Sequence, residues 1–574
     1  MKDDLAFYFI TAIVILFVLL KVYIRLRLSR AKHPSLRCHA KWSRRMSRFV
    51  PYFEYDEKSF YCCDAAPADI AQKRRQGMER LRLLMQNRSP ETIKFSQSLV
   101  SSISDVNFTN SYRVPFPFRK VLSDEFKTGS IVEQAAGVKI KDIDGNWNYD
   151  LSGSYGVNVF GYDFYRDCME QGFARVKELG PVLGPYHPLI RDNVEKLKSI
   201  SGLDEVSFHM SGTEAVMQAV RLARYHTGKT HLVRLCGAYH GWWDGVQPGV
   251  GNQRKVNDVY TLADLSDATL KVLETRSDIA CVLINPLQAL HPNADASSDA
   301  SLINSARSAH FDHEKYSLWL QQIRDVCSRK NIVLIFDEVF TGFRLAYRGA
   351  QEFFKVQADM VTYGKTLGGG LPVGVVCGRH HLMKRFKDEQ PANISFARGT
   401  FNSHPYVMGS MNEFLHRIEQ PEIQQIYREA NDLWNRRVAQ LNQQLEQQGL
   451  AIKIANLHSI WTVLYTLPGR YNWMLQFYLR AEGLEISWVG SGRIIMSLNY
   501  TDAEFNEVAT RFIRAAIQMK ADGWCWQSPQ LSDKSIKQQM LQQMIVTRFP
   551  LLKKFMHAAV PECVQSSIEE VQQQ

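Results

Sequence analysis

The chain has 574 residues, of which 45% are hydrophobic and 22% charged, the balance of an ordinary globular protein long enough for a large core. Its formal net charge of +11 is local: residues 1–50 hold eleven Lys or Arg against Asp3 and Asp4, which leaves about +2 for the rest and argues against a globally basic, nucleic-acid-binding surface. Ten Cys with no CxxC pair argue against a disulfide scaffold or a zinc module; adjacent Cys62 and Cys63 read as ordinary thiols of a reducing compartment, with acylation near a membrane as the alternative.

The first element, Leu5 to Leu20, is LAFYFITAIVILFVLL, a run without a charge. If Lys21 snorkels, Val22, Tyr23 and Ile24 extend it to about the 20 residues that a helix needs to cross a bilayer core. A buried core helix is one alternative, but the run is apolar on all its faces and sits at the N-terminal end. A cleaved signal peptide would carry positive charge before the run and small residues after it. Here KVYIRLRLSR follows, so an uncleaved anchor is expected over 5–24. Ten of the eleven basic residues fall in 21–48. The positive-inside rule then puts the body of the chain on the cytoplasmic side, with a basic stretch suited to anionic lipid.

Residues 25–120 read as a basic juxtamembrane segment and an extension, in which Ala68 to Gln86 predicts a polar helix with a narrow apolar stripe. KIKDIDGNWNYDL (139–151) predicts a hairpin that turns at Asp144–Gly145–Asn146. From about 190 to 380, helical patterns alternate with short apolar runs (VSFHM, HLVRLC, ACVLINP, IVLIFDE, MVTYG, VGVVCG). That alternation predicts an α/β fold with a mainly parallel sheet. The expected organisation is a lead-in and large domain over 121–400, a smaller α/β lobe over 401–520 and a Gln-rich helical tail over 521–574. The polar stretch 291–313 reads as a loop insertion.

Four motifs fall at the carboxyl ends of these strands, where ligands gather in α/β sheets. VSFHM runs into Ser211–Gly212–Thr213 and a strongly amphipathic helix; free amides, a flexible Gly and two hydroxyls suit a phosphate, and a simple helix cap is the bland alternative. Tyr239 and His240 follow the next strand between glycines, where an aromatic can stack on a flat ring or merely pack. IVLIFDEVFTGFR ends its strand in Asp337 and Glu338. A buried carboxylate needs a partner, which a protonated ring nitrogen or a structural ion pair with Arg344 would supply. ADMVTYGKTLGGG puts Lys365 after another apolar strand, where desolvation would favour the neutral, nucleophilic amine; an exposed loop lysine is the alternative.

The order SGT, YHG, DEV and GK resembles the class III pyridoxal-phosphate aminotransferases, most closely over Leu334–Gly370 and more loosely from about Phe126 to Met519. Within the family the chain is similar to glutamate-1-semialdehyde aminomutases and, in its NSHP turn, to aminotransferase domains of polyketide and nonribosomal peptide synthases. The resemblance implies fold type I and pyridoxal 5'-phosphate as cofactor. It implies that Lys365 binds the cofactor covalently and carries a proton, that Asp337 pairs with its ring nitrogen, and that Val339 and Tyr239 cover its two ring faces. Ser211, Gly212 and Thr213 would hold the phosphate, and Thr400 would reach the phosphate of a neighbouring subunit, which implies a homodimer. Met210 stands where the aminomutases have Asn, and NSHP replaces a shorter turn; both departures weaken glutamate semialdehyde as the substrate.

The expected reaction moves an amino group from a small-molecule donor to a carbonyl acceptor. Tyr112 to Phe118 (YRVPFPF) lies where relatives carry substrate-contacting residues, and its aromatics suit an apolar aldehyde or an acyl chain on a carrier protein. An intramolecular aminomutase is the competing enzyme. An inactive membrane-tethered scaffold is the competing non-enzyme, opposed by the intact Lys365, Asp337 and phosphate residues. No nucleic acid or metal is expected.

Overall fold

The computed structural model describes residues 2–32, 53–112, 114–126, 131–247, 252–254, 256–289, 305, 311–487 and 493–549. The described residues of 1–45, 169–296 and 312–419 form one compact unit, and those of 46–168, 297–311 and 420–574 a second of comparable length.

The first unit begins with helix α1, Lys2–Ala31, whose stretch Tyr8–Ala31 has a mean hydropathy of 2.4 and is long and apolar enough to cross a membrane. The expected 5–24 run is thus part of a longer helix that continues without a break through Arg25, Arg27 and Arg30. Its last residue, Ala31, is fully buried, and the Ala31 carbonyl accepts the N–H of Ala263 at 3.0 Å. The basic residues 33–48 lie outside the described residues.

The sheet of this unit has seven strands: β1 (Glu205–His209), β2 (His231–Leu235), β3 (Val259–Leu262), β4 (Ile279–Ile284), β5 (Val333–Asp337), β6 (Met360–Gly364) and β7 (Gly374–Gly378). Their spatial order is β1-β7-β6-β5-β4-β2-β3. β7 runs antiparallel to both of its neighbours, and the remaining pairs are parallel. The apolar runs of β4, β5, β6 and β7 are buried at every residue, as strands covered on both faces must be. Helix α2, Gly212–Thr227, covers one face with Ala215, Val216, Ala219, Val220, Leu222 and Ala223, which join β4 to β7 residues in one apolar core. Helix α3, Asp267–Thr275, connects β3 to β4 and packs against α1.

The second unit has its own sheets. The expected hairpin forms from Lys139–Asp142 and Trp147–Asp150, with Gly145 at φ +88° in its turn. Trp147–Asp150 then pairs in parallel with Leu484–Glu485, and Ile452–Leu457, Ile460–Tyr465 and Arg493–Ile495 form an antiparallel sheet. The unit boundaries differ from those read in the sequence. The Leu484 pairing joins the lead-in to the C-terminal residues. Helix Pro405–Arg417, expected in the smaller lobe, stays with the first unit, where Gly172 and Gly409 let its backbone approach helix Tyr162–Val176 closely. The expected polar helix is present as Ala68–Arg88, and the tail contributes Asp533–Arg548. Most of the 291–313 insertion lies outside the described residues.

Cys62 departs from the expected pair of free thiols. It is disulfide-bonded, whereas Cys63 is a free, buried thiol that donates to the Ser59 carbonyl. A disulfide sulfur and a buried thiol are both closed to acylation.

Candidate active site

The motif residues at the carboxyl ends of β1, β2, β5 and β6 meet at one edge of the sheet. Asp337, the last residue of β5, is buried, and its carboxylate has three donors. His240 Nδ1 donates to Oδ2 at 2.7 Å, while the Val339 N–H and the Thr362 hydroxyl donate to Oδ1 at 3.2 and 3.3 Å. The structural ion pair with Arg344 is therefore not the partner that Asp337 takes. His240 is equally buried, and its Nε2 has no partner among the described residues. Its role escaped the sequence reading because YHG was read for its tyrosine. The sequence shows only a histidine beside the loop glycines; its bond to Asp337 crosses 97 positions.

Lys365 follows β6 with φ at +47°, a left-handed backbone that costs a non-glycine residue about 1 kcal/mol and is found mainly where function demands it. Burial pushes its amine below the usual lysine range, and the negative charge of Asp337 opposes the shift only in part. A depressed amine is the nucleophilic form. The expectation of a desolvated lysine therefore holds over that of an exposed loop residue.

Two glycines set the close approach at this edge. A Cβ on Gly212 would lie 2.5 Å from Val339 Cγ1, and one on Gly364 would lie 3.1 Å from the same atom. Val339 thus packs between the start of α2 and the end of β6, a contact that larger residues would forbid. Ser211 caps α2 by accepting the Glu214 N–H at 3.3 Å, and Glu214 in turn accepts the Met210 N–H at 3.0 Å. The Glu214 carboxylate thus fixes the backbone where Met210 departs from the aminomutase pattern. First-turn amides of α2, from Gly212 and Thr213, have no helical acceptor and leave a positive helix end open to an anion.

Tyr239 is 59% exposed, with its carbonyl held by Asn285 Nδ2 at 3.1 Å. Burial and then the charge of Asp337 push its hydroxyl above the usual phenol range. Glu338 follows the strand and is buried. It accepts the Ala350 N–H at 2.6 Å and is pushed up to about 8 by burial. Thr400 stands apart, exposed on a turn in which His404 caps the next helix by accepting the Tyr406 N–H. Of the YRVPFPF segment, Val114, Pro115, Pro117 and Phe118 are buried in the second unit. Phe118 is therefore a core residue and cannot serve as a substrate contact; Arg113 lies outside the described residues.

A phosphorylated pyridine aldehyde fits this donor set: open amides for an anion, a buried carboxylate held by His240 with no Lys or Arg in ion-pair contact among the described residues, an amine held depressed, and a hydroxyaromatic ring beside them. Residues 123–516 match the family described as aminotransferase class III. Glutamate-1-semialdehyde 2,1-aminomutase of Methanocaldococcus jannaschii is 29% identical over 65% of this chain and 82% of its own length. The enzyme of the same name from Citrifermentans bemidjiense is 30% identical over 68% and 86%. Among solved structures, a transaminase with PLP bound is 25% identical with a TM-score of 0.59, covering 72% of this chain and 94% of its own. A glutamate-1-semialdehyde aminomutase of Pseudomonas aeruginosa shares the fold at 17% identity, with a TM-score of 0.62 over 78% and 99%. Strand-end chemistry, fold and sequence agree: the chain belongs to the class III aminotransferases and is a pyridoxal-phosphate-dependent enzyme of the transaminase or aminomutase type.

Proposed function

We propose that the chain is an intermolecular aminotransferase that moves an amino group from a small-molecule donor to an apolar carbonyl acceptor, either a free aldehyde or an acyl chain borne on a carrier protein. The observation that carries the catalytic part is that Lys365 and the buried Asp337–His240 pair stand at the carboxyl ends of the neighbouring strands β6 and β5. Bound pyridoxal phosphate supplies an electron sink for the carbon that loses its proton. Lys365 Nζ would hold the cofactor through its aldehyde carbon, and its free amine would take and carry the proton of the substrate carbon. Asp337 would pair with the ring nitrogen, and His240 holds the Asp337 carboxylate in place through Oδ2. Ser211, Gly212 and Thr213 take the phosphate, Val339 and Tyr239 the ring faces. Thr400 reaches the phosphate of a second subunit, so the working form is a homodimer.

The intramolecular aminomutase reading is favoured by the names of the relatives. A donor and acceptor screen with product analysis separates the two. The account expects amino transfer between two molecules, and rearrangement of a single amino aldehyde without any donor would overturn it.

Residues of α1 hold the enzyme to a membrane, with the body on the cytoplasmic side. Support comes from an apolar helix whose large hydrophobic residues from Tyr8 to Leu20 are each half exposed or more. A chain lacking residues 1–50 is expected to be soluble, dimeric and yellow, whereas the full chain sediments with membranes and needs detergent. A full chain that stays in the supernatant would remove the anchor from the account, and a monomeric truncated chain would remove the shared phosphate site.

A further inference from the structure

Helix α1 is docked on the first unit by one of its faces. Of residues 21–31, only Ile24, Arg27, Leu28 and Ala31 are drawn in from solvent. Their spacing of three, one and three is a single helix face, and α3 packs against α1. The Ala31 carbonyl takes the Ala263 N–H, one residue past the end of β3. No break separates this docked face from the apolar run, because α1 is one helix from Lys2 to Ala31.

A continuous helix fixes height. Ile24 ends the anchor run, and the rise from there to Ala31 is about 10 Å at 1.5 Å per residue. The headgroup layer on one side of a bilayer is roughly 5–8 Å thick. Whatever packs beside residues 24–31 therefore stands in that layer or against it, and α3 is what packs there. The outer face of α1 agrees. Tyr23 and Leu26 are 49% and 54% exposed at this height, and the Arg27 guanidinium lies 4.6 Å from the centre of the Tyr23 ring. Aromatic and basic residues gather where a helix leaves the hydrocarbon. Charge also suits lipid phosphates: Lys21, Arg25 and Arg30 on α1 and Lys271 on α3 are exposed, against Asp267 and Glu274 on α3.

We propose that the α3 face of the first unit is a lipid-contacting surface, held in the phospholipid headgroup layer by the α1 dock. The unit then meets the membrane with the β3 edge of its sheet in a fixed orientation. This rests on the reading of α1 as a membrane anchor. The opposite edge strand, β1, lies six strand spacings from β3, about 29 Å away, and helix Ile190–Ser201 packs on it.

The test uses the full-chain, cofactor-loaded enzyme in nanodiscs of phosphatidylcholine and phosphatidylserine. A small fraction of phosphatidylethanolamine carries a photoactivated diazirine on its headgroup, and peptide mapping after irradiation reads where lipid is attached. Wild type is compared with Leu28→Asp combined with Ala31→Glu, which breaks the dock and leaves the 5–24 run intact. Leu28→Ser alone is held in reserve should the charged pair fail to take up cofactor. Wild type is expected to carry roughly fivefold more adduct over 267–277 than over 190–201, since a separation of about 29 Å exceeds the depth of the headgroup layer. The dock variant should lose that excess while α1 stays labelled. Equal labelling of the two segments in wild type, or labelling of α1 without 267–277, would overturn the proposal. So would a dock variant that keeps the wild-type pattern, because the dock would then not set the contact. A wild-type chain without adducts even on α1 would place the failure in the anchor reading underneath.

Discussion

Two buried acid–base pairs sit in this chain, and they differ in what they leave unused. Asp64 and Arg470 in the second unit lie 2.6 Å apart at 3% and 1% side-chain exposure. The Arg470 guanidinium donates to Asp64, Tyr55 and Gln539, so its charge is met on every side. Asp337 and His240 in the first unit are as close and as buried, yet among the described residues no Lys or Arg lies within ion-pair distance of Asp337 and His240 Nε2 has no hydrogen-bond partner. Burial alone therefore does not mark a functional site. A saturated pair locks distant segments together, while a pair with spare capacity is set to act on something that arrives.

The sharpest way to break that contrast is to remove one member of each pair. Asp64→Ala leaves Arg470 uncompensated and is expected to lower unfolding stability by about 3–5 kcal/mol in denaturant titration, with turnover per folded molecule retained. Replacing both members with Leu and Met should recover much of the loss. An unchanged midpoint for the single variant would show that the pair holds nothing together.

Asp337→Asn should do the reverse. The amide fits the space but loses the charge that we assign to the ring nitrogen, so turnover should fall roughly a hundredfold or more with little change in stability. Glu338→Gln, at the residue after β5 whose carboxylate accepts the Ala350 N–H, should leave turnover unchanged. Near-normal turnover in Asp337→Asn with full cofactor occupancy would reject its role.

The two regions were also unequally legible in the sequence. The site could be read because each motif is short and pairs a reactive residue with the glycines its strand end requires, as Gly212 and Gly364 do around Val339. The direction of β7 could not, since an apolar run such as VGVVCG carries no sign of which way it runs. His240 was overlooked because its bond to Asp337 spans 97 positions, so no local pattern announces it. The buried pair in the second unit was still harder to see. Asp64 and Arg470 are 406 positions apart, and a lone arginine reads as surface until an acid is placed beside it. Leu484–Glu485, whose pairing decides which unit the lead-in joins, has two residues, too few to show a period of two. The α1 run was plain from its composition, but its docking through the Ala31 carbonyl is a backbone contact that side chains do not encode.

The claim on which the rest depends is that Lys365 carries the cofactor. Borohydride reduction of the yellow enzyme, followed by peptide mapping, tests it directly. The account predicts a single reduced pyridoxyl adduct on Lys365, and a Lys365→Ala enzyme that folds, lacks the yellow band and does not turn over. An adduct on a different lysine, or a Lys365→Ala enzyme that remains yellow and active, would contradict it.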